Sequence, residues 1–328
     1  MMIPRSRAWG ALACAAAVVL TACSSAQSGG GHAPTTVVQS PAAANNTPVS
    51  VTPHIATPSQ QPPLRRGSGT PVHVSLYESD GQTFGVGMPL IAYFSVALTD
   101  PSVFEQATLV TVDGEPAHGA WYFEHSSQAD EALEAHYRLP TYWPAHASIK
   151  LSLPLAGLWA GKGLVFDDNL TLSIRTGAAQ LVKIDGKSKR MHVYSDGKLI
   201  RTFAVSLGKA TTPTYAGTAV VIGKANPQDM VSAPGEPYYN IEVPWSVRVT
   251  YDGEFIHDAY WNGELGQANL SHGCTNLSPA NAKWYYHFSL IGDPVTWTNT
   301  GTSATVPVWD GYGDWNLPWA SYSRGGVL

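Results

Sequence analysis

Charge is scarce in this sequence: charged residues make up 13% of 328. No run of Lys or Arg with interleaved aromatics occurs, and the net charge is −5 with a pI near 6.1. The footprint of a nucleic-acid binder is therefore missing. Long apolar runs are missing too, since the longest, Ala8 to Leu20, is short for a bilayer span. Cysteine is scarcer still, with 3 in the chain: Cys14, Cys23 and Cys274. No paired cysteines or carboxylate-anchored ligand pattern suggests a metal site, so none is expected. What is plentiful is Gly (31), Pro (24), Tyr (15) and Trp (11) in a chain that is 44% hydrophobic. That mixture suits β-rich domains joined by turns, and the length allows two or three of them.

The N-terminus reads as an export signal. Arg5 and Arg7 precede the apolar stretch, which ends in Leu20-Thr21-Ala22-Cys23. Small residues before a Cys at the end of an apolar run resemble the lipobox of bacterial lipoproteins. Residues 1–22 are then the signal peptide, and Cys23 carries the lipid. The expected location is the outer face of the cytoplasmic membrane, facing the cell wall. The plainer reading is an ordinary signal peptide cut nearby. Cleavage removes Cys14 and lipidation consumes the Cys23 thiol, which leaves Cys274 as a lone thiol in an oxidising setting. Such a thiol is a liability unless it is buried or used.

Residues 23–70 are rich in Pro, Ser, Thr, Gly and Ala and poor in large apolar residues. They are expected to form a disordered linker, with a reach of roughly 35–40 Å. From 71 to 177, alternating segments such as Val72–Tyr77, His118–Glu124, Leu133–Arg138, Ser148–Leu153 and Leu170–Arg175 predict about seven short strands, an immunoglobulin-like sandwich in size. Strands continue over 178–300, with hairpin signals at Asp185-Gly186 and Asp252-Gly253. One helix is announced by Ser278-Pro279, Ser as the cap and Pro at the first position, and runs to about Phe288. The Trp-rich segment 301–328 is expected to pack on this second domain.

Chemistry is concentrated in Phe255-Ile256-His257-Asp258 and Ser271-His272-Gly273-Cys274-Thr275-Asn276. A thiol reacts as its thiolate and needs a base or a positive neighbour. His257 ends a strand, and Cys274 sits in a turn that Gly273 allows to be sharp. Backbone N–H groups around Cys274, near the coming helix, are candidates to hold an oxyanion.

The run His…Ser-His-Gly-Cys-x-Asn resembles the signature of the L,D-transpeptidase (YkuD-type) catalytic domain. The resemblance extends over about 178–300 and includes Thr212-Pro213-Thr214 and Trp261. Tyr142-Trp143-Pro144-Ala145 is similar to a stretch of the immunoglobulin-like domains that precede such domains in actinobacteria. Asp314-Trp315-Asn316-Leu317-Pro318-Trp319 is similar to the C-terminal subdomain of mycobacterial members. The implied fold is mostly β: an immunoglobulin-like sandwich, a YkuD-type sandwich with one or two short helices, and a C-terminal subdomain.

The resemblance also implies roles. Cys274 is the nucleophile and His257 the general base, with the backbone carbonyl of Asp258 as third partner. His272 and Gly273 shape the turn, and Asn276 fixes the loop. Tyr239, Trp261, Ser271, Asn276 and Met230 face substrate, Met230 as a lid residue. The implied reaction is acyl transfer between peptidoglycan stem peptides through a Cys274 thioester. Its product is a 3→3 cross-link, no cofactor is required, and carbapenems act as alternative acyl donors. The motif leaves the acceptor open: water gives an L,D-carboxypeptidase and a protein amine gives a wall-anchoring enzyme. A non-catalytic wall-binding lipoprotein is the alternative of another class.

Overall fold

The computed structural model describes residues 64–232 and 238–328. The expected signal peptide, Cys23 and the linker up to residue 63 lie outside the described residues. Among those described, no helix is long and apolar enough to cross a membrane.

The first half is a two-sheet sandwich. One sheet has the order Val74–Leu76, Leu90–Phe94, Leu133–Arg138, Ala120–Glu124. The other runs Thr83–Phe84, Leu170–Thr176, Ser148–Leu153, Leu109–Val112, Glu115–Pro116. Ser148–Leu153 and Leu170–Thr176 bury every second residue, as a strand with one wet face must. Their inward side chains close on Phe94, Phe104, Phe123 and Phe166. Chain order begins before the expected linker end: Arg66 bridges to Leu158, and Gly67 N–H donates to Gly157 O at 3.2 Å. A helix, Ser102–Ala107, was not expected. It has no side-chain cap and is too short to persist alone, so it exists because Phe104 plugs the aromatic core. Trp143 is a packed residue whose indole N–H donates to Met88 O at 2.6 Å.

The second half follows with little separation. Gly85 and Gly87 donate to Ile291 O and Gly292 O at 2.7 and 2.9 Å. A Cβ on Gly85 would collide with the Asp293 backbone, so glycine permits this approach. Val220 and Ile222 enter the core of the first half. A five-stranded sheet runs Lys198–Ala204, Arg190–Ser195, Gln180–Asp185, Pro294–Thr298, Gly217–Val220. A four-stranded sheet runs Gly223–Ala225, Ser246–Arg248, Phe255–Asp258, Thr275–Leu277. Gln228–Val231 and Asn240–Val243 form a separate two-stranded ribbon. The helix Pro279–Phe288 starts with Pro in its first turn, as its sequence announces, and buries Ala282 and Tyr285.

The C-terminal segment packs on both halves. On the catalytic domain, Ala304 O accepts from Ala216 N at 2.8 Å, Asn316 Oδ1 accepts from Thr218 N at 2.7 Å and Val306 enters the core, while the rest covers the immunoglobulin-like sheet. Phe123 N donates to Gly325 O and Val327 N to Phe123 O, both at 2.9 Å. The Arg138 guanidinium donates to Asp314 O (3.2 Å) and Leu317 O (2.9 Å) and lies 4.1 Å from the Tyr322 ring centroid. The cause is the polar face of Leu133–Arg138. All six of its residues are buried, so Glu134, His136 and Arg138 need polar partners that the C-terminal segment helps supply.

Candidate active site

His257 and Cys274 are brought together by a parallel pair. Phe255–Asp258 runs beside Thr275–Leu277, with Ile256 opposite Thr275 and His257 opposite Asn276. Cys274 therefore stands just ahead of its strand, level with Phe255 and on the same face of the sheet as His257. Both line a cavity of about 400 Å³, with Met230, Tyr239, Trp261, Ser271, His272 and Asn276 also in its wall. A second cavity, about 690 Å³, shares Cys274, Met230, Tyr239 and His272 with the first and adds Arg248, Asp252 and Glu254.

His257 is buried, and its Nδ1 lies 2.6 Å from the Asp258 carbonyl oxygen. A carbonyl only accepts, so Nδ1 carries the proton and Nε2 keeps a lone pair. Burial lowers the His257 pKa to about 4, against the opposing pull of that carbonyl. The Asp258 carboxylate is itself buried, its pKa is raised by desolvation, and its Oδ1 has no partner. The carbonyl, not the carboxylate, is what bears on the imidazole. The Trp261 ring lies 6.0 Å from the His257 ring and is about half exposed, which makes it cavity wall.

Cys274 is half-buried, and burial pushes its thiol up to about 12. The Phe255 and Cys274 N–H groups and Arg248 pull the other way, and Glu254 adds to the rise. Its Sγ faces Gly253 O at 3.7 Å, and no hydrogen bond joins it to His257 among the described residues. The resting pair is thus a neutral thiol and a neutral imidazole. As a nucleophile, such a thiol would have to pass its proton on as the new bond forms.

The turn around Cys274 is held by groups the sequence did not single out, together with one it did. Ser271 Oγ donates to Cys274 O at 2.6 Å and accepts from Gly273 N at 3.2 Å. Buried Thr214 donates to Gly273 O at 2.5 Å and accepts from Gly208 N at 2.9 Å. Thr214 lies in the Thr-Pro-Thr run already noted, which was its one signal. Gly273 sits at φ +130°, and a Cβ there would lie 3.3 Å from Glu254 Oε1. Glu254 accepts from Tyr215 N at 3.0 Å, and burial raises its carboxyl to about 8. Arg248 lies over the Phe255 ring at 4.4 Å and stands beside the second cavity. Arg248 and Glu254 had no signal, and Gly253 had one only as a turn residue, because no spacing rule says that the Asp252-Gly253 turn folds under the thiol.

Two expectations change. Asn276 does not fix the loop through its side chain: its backbone exchanges hydrogen bonds with Ser206, while Oδ1 is buried without a partner beside the cavity. The helix does not reach Cys274, because the strand Thr275–Leu277 intervenes before Pro279. A helix terminus acts over its first turn only, so the oxyanion would depend on local backbone N–H groups. The Tyr239 and His272 rings lie 5.7 Å apart at a tilt of 39°, and Met230 lies on the ribbon opposite Ile241, lining both cavities.

Residues 179–296 match the L,D-transpeptidase catalytic domain family, and residues 67–159 match a bacterial Ig domain. The chain is 30% identical over 268 residues to L,D-transpeptidase 2 of Mycobacterium tuberculosis, covering 79% of this chain and 64% of that relative. Less than two thirds of that relative's length is therefore spanned. Among solved structures, an L,D-transpeptidase from Mycobacterium smegmatis superposes with a TM-score of 0.57 at 32% identity, covering 70% of this chain and all of that one (100%). L,D-transpeptidase LdtMt1 in complex with imipenem superposes with a TM-score of 0.56 at 27% identity, covering 68% of this chain and 97% of that one. With its thiol, imidazole and turn assembled on a matching two-domain fold, the chain belongs to the L,D-transpeptidase family.

Proposed function

We propose that this protein cross-links peptidoglycan by L,D-transpeptidation, with Cys274 as nucleophile and His257 as base. The observation that carries the reading is the fixed tautomer of His257, with Nδ1–H held by the Asp258 carbonyl and Nε2 left as an acceptor beside the cavity that Cys274 lines. As the sulfur attacks the carbonyl of the third residue of a tetrapeptide stem, Nε2 takes the thiol proton. It returns that proton to the departing D-alanine amine, leaving a thioester on Cys274. The amine of a second stem then attacks the thioester, loses its proton to His257, and leaves a 3→3 linkage with the thiol restored. Two cavities meeting at Cys274 suit a donor and an acceptor that arrive in turn. That Tyr239, Trp261 and Met230 line the cavity supports a role for them in holding the stems.

Carbapenems should acylate the same thiol, since one such compound sits in a related structure. The protein is exported and held by lipid at Cys23, on the strength of the Leu20–Cys23 run. Incubation with a carbapenem should add its mass once, and Cys274→Ala should abolish the adduct. With purified tetrapeptide fragments, the products should include a dimer. Tripeptide alone would replace cross-linking by hydrolysis, and no adduct on folded protein would overturn the catalytic reading.

A further inference from the structure

The immunoglobulin-like sheet carries a group of charged side chains outside both cavities. Glu124 and Glu134 are direct cross-strand neighbours, and His136 shares their face two residues beyond Glu134. All three are buried. Carboxylates placed directly opposite one another repel, and burial makes this worse. The arrangement calls for a positive charge between them.

The geometry around His136 suits a particular kind of charge. Nδ1 lies 3.1 Å from each Asp314 oxygen, so that carboxylate takes the Nδ1 proton and fixes the ring. Nε2 then points at the two glutamates, 2.7 Å from Glu134 Oε1 and 3.7 Å from Glu124 Oε1. Ser127 occupies Glu134 Oε2 through its N–H at 2.8 Å and its hydroxyl at 2.7 Å, which leaves Oε1 turned inward. Glu124 is 6% exposed yet makes no hydrogen bond among the described residues. The three ligand atoms lie within 4.8 Å of one another. With Nδ1 braced by Asp314, Nε2 is engaged by Glu134 Oε1 in a hydrogen bond that a cation entering between them would replace, and a carboxylate brace on one nitrogen is how proteins present His to a metal.

We propose that Glu124, Glu134 and His136 bind a divalent cation of the zinc class, with Asp314 as the residue that positions His136. Two carboxylate oxygens and one imidazole nitrogen make three ligands, with a water as the fourth, and rotation of the Glu124 carboxylate, now 3.7 Å from Nε2, closes the set. The ligands come from one hairpin and the brace from the C-terminal segment, so the cation ties the two together. The sequence gives no hint of this, because a Glu-x-His pair and a distant Glu form no ligand-spacing motif.

The test uses the full chain carrying Cys274→Ala, so that the catalytic thiol cannot bind metal. After chelation and dialysis, Zn²⁺ is added, excess is removed by gel filtration, and retained metal is measured. About one equivalent should be retained, with a raised Tm, and Co²⁺ should give the visible bands of a low-coordinate site. Glu124→Gln keeps the side-chain shape and should reduce retention at least about tenfold; His136→Gln should do the same where it folds. No retained metal would show that a proton alone sits between the carboxylates and would overturn the proposal. So would retention unchanged by Glu124→Gln. Neither outcome bears on the acyl-transfer reading, which is tested at Cys274.

Discussion

At the scale of the residue, the electrostatics of the pair decide how the thiol is activated. With the thiol near 12 and the imidazole near 4, neither carries charge at neutral pH. Alkylation by a small neutral electrophile should then rise about tenfold per pH unit from about pH 6 to 9, because it follows the thiolate fraction. A plateau near neutral pH would instead reveal a standing thiolate–imidazolium pair. The same burial has a cost in stability. The folded-state pKa of His257 lies below its unfolded value of about 6.5, so the unfolded chain binds more protons between these values. Its contribution is intact above about pH 6.5 and is lost as pH falls toward 4, by about 3 kcal/mol. Urea unfolding of wild type and His257→Gln at pH 7 and 4.5 isolates this term, since other buried groups cancel in the comparison. An equal loss in both proteins would refute it.

At the scale of the element, the catalytic turn depends on a neighbour remote in sequence. Thr214 connects Gly208 N–H to Gly273 C=O. Thr214→Val keeps the shape and orphans both groups, at about 1–3 kcal/mol each. Acylation should slow along with the loss of stability, because the carbonyl it releases belongs to the residue beside the nucleophile. Chemical denaturation and carbapenem acylation rates measure the two effects; a destabilised protein with an unchanged rate would free the turn from Thr214. Serine, stability aside, should restore the rate. Sequence patterning announced most of these elements. Alternation in Ser148–Leu153, Ser-Pro ahead of the helix and Asp-Gly at the hairpins all have local causes. The helix Ser102–Ala107 has none, since its stability comes from the aromatic core that Phe104 enters.

At the scale of the whole molecule, the C-terminal segment joins the halves. Arg138 reaches it from the immunoglobulin-like sheet and is 2% exposed. Arg138→Ala removes three donors to backbone carbonyls and empties a slot between aromatic rings. The expected cost is about 3–5 kcal/mol. Hydrogen exchange should quicken at Tyr322 and Val327, which hold that sheet, while exchange at the core strands of the catalytic sheet stays slow. Uniform quickening across both domains would mean that the segment is not a local clamp.

The sequence by itself determined the family and singled out Cys274 and His257 as the candidate nucleophile and base. Cys274 is the lone thiol left after export processing is inferred, and a six-residue run around it carries the motif, both of which are properties of adjacent residues. It also determined the strand-rich two-domain plan, because alternation and turn chemistry act within a few residues. Only the tertiary structure decided which carbonyl faces the thiol, which hydroxyl braces the turn, and where the Trp-rich tail lies. Those contacts join positions tens to hundreds of residues apart. Such pairing depends on which surfaces exclude water together, a property of the folded chain that no local pattern encodes.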